Sequence, residues 1–112
     1  MPHIHINATC DIDRSQERKL IQQLGEAISL FPGMKPEYLM IRLEGNCRLF
    51  FGGAGECAFV EIDRFGAISE EASRAMTAHV SQIVEETLGI SQERTYLKYT
   101  ENPYWGCHGH NL

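Results

Sequence analysis

The chain of 112 residues contains no run of about 18 apolar residues, so no membrane span is expected. It also lacks an excess of positive charge. Fifteen acids stand against ten lysines and arginines, a formal net charge of −5. Neutralising phosphates needs a basic face, so a nucleic-acid partner is not expected either. The start Met1-Pro2-His3-Ile4-His5 has no basic n-region and no apolar h-region, and a secretory signal is not expected. Cys10, Cys47, Cys57 and Cys107 are scattered, without a C-x-x-C pair. They read as reduced thiols of a cytoplasmic protein. Gly52-Gly53-Ala54-Gly55 has no Gly-Lys-Ser/Thr behind it and reads as a turn, not a phosphate loop. No Ser-His-Asp order suggests a hydrolase.

What is present is a globular balance, 43% apolar and 22% charged, of a size that buries one core. Residues 1–112 read as a single domain whose halves, about 1–50 and 51–112, share one order of elements. In the first, Ile4, Ile6 and Ala8 alternate with His3, His5 and Asn7, the period of a strand. Asp13 with Gln16 three residues on fits a capping box, and Leu20, Ile21, Leu24, Ala27, Ile28 and Phe31 form an apolar helical stripe. Pro32-Gly33 is expected to stop that helix, and Tyr38 to Leu43 to form the next strand.

The second half repeats this order. Ala58 to Ile62 reads as a strand, and Ser69 caps a helix with a stripe of Ala72, Ala75, Met76, Val80, Ile83, Val84 and Leu88. Gly89 ends that helix, and Thr95 to Tyr99 reads as the closing strand. The expected fold is α+β, a duplicated β-α-β unit giving a four-stranded mixed sheet with two helices on one face. Ile4, Ile6, Leu39, Ile41 and Leu43 are expected under the helices. The other face then carries His3, His5, Tyr38, Met40, Arg42, Tyr96 and Lys98, a mixture suited to a subunit interface.

Chemically, Pro2 stands out. Removal of Met1 turns its nitrogen into a secondary amine held by a ring at the start of a strand. Such an amine serves as a base near neutral pH once burial or a nearby cation depresses its pKa. Glu61 and Asp63 share one strand face but read as solvated acids. His3 with His5, and Cys107-His108-Gly109-His110, have the spacing of metal ligands. The first pair reads as structural and the second as a tail that is flexible or pads a neighbouring subunit, so no metal and no cofactor is expected.

The chain resembles the tautomerase superfamily, specifically its macrophage migration inhibitory factor group. The likeness lies in the Met-Pro start, the strand Ile4-His5-Ile6-Asn7 and the turn Lys35-Pro36 before Tyr38. It continues through Phe51-Gly52-Gly53-Ala54-Gly55-Glu56-Cys57-Ala58, Phe65-Gly66-Ala67-Ile68, and Leu88-Gly89-Ile90-Ser91 with Glu93-Arg94-Thr95-Tyr96-Leu97. The resemblance implies a homotrimer with sites between subunits and a cofactor-free keto–enol tautomerase acting on phenylpyruvate-type 2-oxo acids. It implies Pro2 as general base, with Lys35 pairing with the substrate carboxylate and lowering the proline pKa. The backbone N–H of Phe65 joins Lys35 on that carboxylate, and Tyr96 comes from the adjacent subunit. Met40, Phe65, Tyr104 or Trp105 would wall the substrate ring.

Three departures accompany it. An ungapped match puts Met34 where the group has its lysine, and one residue of slippage restores Lys35. Lys98 replaces an asparagine near the pocket, adding a cation that favours anionic substrates. The group's C-x-x-C is reduced to Cys57-Ala58-Phe59-Val60, which removes a resolving thiol. The alternative reading is a trimeric cytokine-like binding or signalling protein with a vestigial pocket, for which the resemblance also admits non-classical secretion. Dehalogenation or decarboxylation is a third, needing further Arg or Glu groups around the proline. Arg42 and Arg64 exist, but nothing in the sequence places them there.

Overall fold

The computed structural model describes residues 1–112. Strand β1 (Pro2–Ala8) alternates buried and half-buried residues along its whole length, the pleat expected from its period of two. Helix α1 (Arg14–Ala27) opens on a complete capping box. Asp13 Oδ1 accepts from Gln16 N at 2.8 Å, and Asp13 N donates to Gln16 Oε1 at 2.9 Å. Asp13→Ala is expected to lower stability by about 1 kcal/mol, measured by urea denaturation, because the Gln16 backbone N–H loses its acceptor.

Strand β2 (Met40–Glu44) completes the first unit. Strand β3 (Ala58–Phe65), helix α2 (Glu70–Leu88) and strand β4 (Thr95–Asn102) form the second. The sheet order is β2-β1-β3-β4. β1 and β2 are parallel, as are β3 and β4, while β1 and β3 are antiparallel and join the two units. The expected duplicated β-α-β fold with a mixed sheet is therefore present. Ile4, Ile6, Val60 and Ile62 share one core with Leu20, Leu24, Met76 and Val80, so both helices cover the same face. Ser69 caps α2 by accepting from Ala72 N, and Gly89 closes it in the left-handed conformation at φ 72°.

Several boundaries differ from expectation, each for a local reason. Helix α1 stops at Ala27 and tightens into a 3-10 turn over Ile28–Leu30 before reaching Pro32. Ile21 is 47% exposed because it lies about 100° around the helix from Leu20, off the buried stripe. Ala75 is likewise exposed on α2, and Leu88 is only half-buried. Strand β2 starts at Met40 rather than Tyr38, because Pro36 at the first position sets a 3-10 turn over Pro36–Tyr38. Strands β3 and β4 run on to Phe65 and Asn102, past the expected ends at Ile62 and Tyr99.

The tail, expected to be flexible or to pad a neighbouring subunit, has regular structure. It folds as a hairpin, β5 (Gly106–Cys107) against β6 (His110–Asn111), with His108 at φ 56° and Gly109 at φ 82° in its two-residue turn. No group of three His, Cys, Asp or Glu side chains is placed to hold a metal ion. No helix is long and apolar enough to cross a membrane.

Candidate functional site

The start of β1 lies at a corner where four segments meet. Register pairs Pro2 with Arg64 on β3 and His3 with Met40 on β2. Pro2 is buried, in phase with Ile4 and Ile6. Residues directly opposite on antiparallel strands share a face, so Arg64 projects with Pro2 toward the helices, where its guanidinium lies 5.4 Å from the Phe31 ring centre.

The main chain at this corner is fastened from β4. Asn102 Nδ2 donates to the Arg64 carbonyl at 3.2 Å, and the Asn102 carbonyl accepts from Gly66 N at 2.9 Å. Gly66 turns away with φ 86°, a conformation that favours glycine. These contacts aim the Phe65 N–H back toward the chain start, where it donates to the Met1 carbonyl oxygen at 3.0 Å.

Met1 sits on top of Pro2. Its ammonium approaches Met34 Sδ at 3.2 Å. Burial holds the pKa of that ammonium below its usual value; the Arg64 cation pushes in the same direction and Cys107 opposes it. Cys107 thus brings the tail hairpin to this corner. The half-buried Trp105 belongs to the same segment, its carbonyl accepting from Leu112 N at 2.9 Å. The residue touching the terminus is Met34, the one on which the ungapped match sets the group's lysine. Lys35 is exposed at the entry to the 3-10 turn, its side chain engaged in no ion pair or hydrogen bond within the chain.

Tyr96 and Lys98 lie elsewhere in the chain. Phe59, the β3 partner of Tyr96, is five residues along the strand from Arg64, the partner of Pro2. That separation is about 17 Å. Tyr96 is 62% exposed and packs on Phe51 with ring centres 4.5 Å apart. Together with Leu49, Phe50, Cys57 and Phe59 these rings line an apolar cavity of about 310 Å³. Lys98 projects from the open face, 3.5 Å from Glu61 Oε1 and 5.8 Å from the Phe59 ring centre. The chain therefore joins Pro2 to the Phe65 N–H and the tail, and sets Tyr96 and Lys98 at the far end of the sheet.

The acids expected to be solvated are partnered instead. His3 Nδ1 donates to Asp63 Oδ2 at 2.9 Å. His5 lies between Glu44 and Glu61, 3.2 Å from each. Cross-strand register produces these pairs, since His3 faces Asp63 and His5 faces Glu61 across β1 and β3. They occupy both histidines that had ligand spacing.

Arg94 is a positioning residue that its exposed polar context in the sequence did not reveal. It donates to the carbonyls of Gly52, Phe51 and Gly55, at 2.6, 3.2 and 3.2 Å, and its guanidinium covers the Phe51 ring at 4.8 Å. The glycine-rich turn is thereby tied to β4 and Phe51 is held against Tyr96. Arg94→Ala is expected to cost about 1.5–3 kcal/mol in thermal or urea unfolding, the range for hydrogen bonds from a charged donor. It should also loosen the Phe51 ring, seen as altered aromatic side-chain shifts in NMR spectra.

A family model described as macrophage migration inhibitory factor matches residues 1–109. Among solved structures the chain is similar to MIF2 of Leishmania major, with a TM-score of 0.92, 23% identity, and 100% of this chain and 97% of that one covered. It is also similar to the homologue from Prochlorococcus marinus, with a TM-score of 0.81, 24% identity, and 97% of each chain covered. A third is Pt0534, a structure described as inactivated by 2-oxo-3-pentynoate, with a TM-score of 0.83, 18% identity, and 96% of this chain and 93% of that one covered. At these identities the structural likeness establishes the fold.

Proposed function

Because this chain belongs to the macrophage migration inhibitory factor family, we propose that it is a cofactor-free keto–enol tautomerase of phenylpyruvate-type 2-oxo acids. In this reading Pro2 is the general base once Met1 is removed, and the enzyme works as a homotrimer in the cytoplasm. The observation that carries the reading is the bond from the Phe65 N–H to the Met1 carbonyl oxygen at 3.0 Å, directly beyond a buried Pro2. The Met1 oxygen stands where a substrate carboxylate oxygen would sit. When Met1 leaves, a backbone donor is freed beside a secondary amine in a partly desolvated corner.

The reaction needs little else. The enol hydroxyl gives its proton to the Pro2 nitrogen, the C=O bond forms at C2, and the proton returns to C3 to give the ketone. Phe65 N–H fixes the carboxylate, so the amine reaches both oxygen and carbon by a small shift of one proton carrier. In this reading Lys35, exposed in the turn next to Met34, supplies a cation for the same carboxylate, and Trp105 of the tail segment borders the ring. Tyr96, Lys98 and the apolar cavity beside them come from a neighbouring subunit in this arrangement. Two facts favour that assembly: Pro2 and Tyr96 are separated along the sheet, and the helix-free face exposes Met40 (69%) and Tyr96. A mass of three chains by light scattering is the expected result.

The test of activity follows ketonisation of enol phenylpyruvate by ultraviolet absorbance, comparing mass-verified Met-free protein with the same chain retaining Met1. The Met-free form should exceed the buffer rate. The Met1 form should not, since its Pro2 nitrogen is an amide and the Phe65 N–H is occupied. Buffer-level rates for both would refute the reading.

A further inference from the structure

We propose that Arg64 is a second carboxylate-binding cation of the Pro2 corner, acting beside the Phe65 N–H in addition to the turn lysine that the proposed function assigns. This rests on reading that corner as a 2-oxo acid site.

Four observations on Arg64 converge. Ala58, Val60, Ile62 and Arg64 are in phase on β3, and the first three are buried, so a guanidinium ends a series of core positions. Register sets it opposite Pro2. It has no carboxylate partner in the chain. Glu101, its β4 neighbour, accepts from Ile68 N at 2.7 Å, and Asp63 is turned to the other face with His3. Finally, the Arg64 Nε–H is buried with no hydrogen-bond partner. Buried donors are normally satisfied, and an unpaired guanidinium fork suits a planar carboxylate.

The surroundings fit an anion that is still to arrive. Besides Arg64, the charged or titratable groups at the corner are the Met1 ammonium and Cys107 from the tail hairpin; Lys35 follows Met34 in the turn, and Glu101 is already engaged. Met34 contributes only a thioether. Phe31 covers one face of the guanidinium and limits its orientations. A carboxylate placed against Phe65 N–H would meet a fixed cation one residue away along β3. The same cation lies close enough to the chain start to disfavour a protonated amine there, so its removal should raise the Pro2 pKa.

The test uses Met-free protein with Arg64→Gln, Arg64→Lys and, as a charge control, Arg18→Gln on the exposed side of α1. Binding of the unreactive carboxylate phenylacetate is followed through the Phe65 amide shift, and the Pro2 amine is titrated by nitrogen-15 NMR. Arg64→Gln should weaken phenylacetate binding about tenfold to a hundredfold and raise the Pro2 pKa, while Arg18→Gln matches wild type on both. Arg64→Lys should keep the Pro2 pKa near wild type yet bind less tightly, because a single ammonium cannot form the two-pronged contact. It also provides the comparison if the glutamine variant fails to fold. Wild-type affinity and wild-type Pro2 pKa in the Arg64 variants would overturn the proposal. None of these readouts requires turnover, so an inactive protein that binds phenylacetate through Arg64 would refute the tautomerase reading and leave the carboxylate site standing.

Discussion

In Met-free protein, Pro2→Gly is expected to ketonise enol phenylpyruvate at least about a hundredfold more slowly than wild type, the scale of losing a positioned general base. The substitution leaves an amine at the terminus, so the comparison isolates the ring and its placement. Pro2 is buried in phase with Ile4 and Ile6, and the ring fixes φ at the first residue of β1. Glycine removes both restraints. Its terminal nitrogen rotates freely and draws more water, which restores the stability of the ammonium form and spreads the lone pair over many directions. The Phe65 N–H and Arg64 remain, so binding of phenylacetate should be nearly unchanged while kcat falls. A fall in affinity with kcat intact would mean that Pro2 is a wall of the pocket and not its base.

The second large effect is structural. Ile62→Ala is expected to destabilise the fold by about 2–5 kcal/mol, measured by urea denaturation. Ile62 is fully buried at the centre of β3, paired with Ile4 on one side and Tyr99 on the other. Strand β3 is the junction of the two β-α-β units, because β1 and β3 are neighbours in the sheet. A cavity there is lined from both halves, so neither helix can settle into it without pulling from its own unit. The same deletion at the half-buried Leu97 near the end of β4 should cost visibly less, since water can reach part of the vacated space. Equal losses at the two positions would contradict the picture of one core shared across the junction.

Much of this architecture is legible in the residues. The period of two in Pro2–Ala8, the Asp13–Gln16 box and the Gly89 stop each encode a local conformation, and local rules suffice to read them. The misreadings begin where a rule depends on a partner strand. Asp63 and Glu61 look like free acids until register sets them against His3 and His5. The apolar alternation fades at Ile62 and Tyr99, which leaves Arg64 and Glu101 outside the expected strands. Yet both strands run on, and an arginine in phase with Ala58, Val60 and Ile62 was itself the signal. Arg94 and Asn102 act by bonding distant main-chain carbonyls, which no spacing reveals. The tail hairpin was readable in principle, since two residues ending in glycine between Cys107 and His110 fit a tight turn.

Pro2 stands out in the sequence alone, and the groups that surround it in the fold do not. In the folded chain the thioether of Met34 meets the terminus, Lys35 follows it in the turn, and Arg64 is aligned with Pro2.

The most direct measurement of Pro2 as an uncharged amine in a 2-oxo acid site is covalent labelling with 2-oxo-3-pentynoate, the reagent that inactivates the structurally similar Pt0534. The compound joins a 2-oxo acid to a conjugated alkyne, so an unprotonated secondary amine held beside the carboxylate slot adds to C4, one alkyne π bond breaks, and the amine proton passes to C3 to leave a neutral, conjugated enamine with a new C–N bond. At neutral pH, Met-free protein should gain one equivalent, mapped by peptide mass spectrometry to the Pro2 nitrogen, and lose tautomerase activity in step. The Met1-retaining chain should remain unlabelled at that position. Labelling confined to Cys10, Cys47 or Cys107 with activity intact, or an equal rate of labelling in the Met1 form, would contradict the assignment of Pro2 as the base.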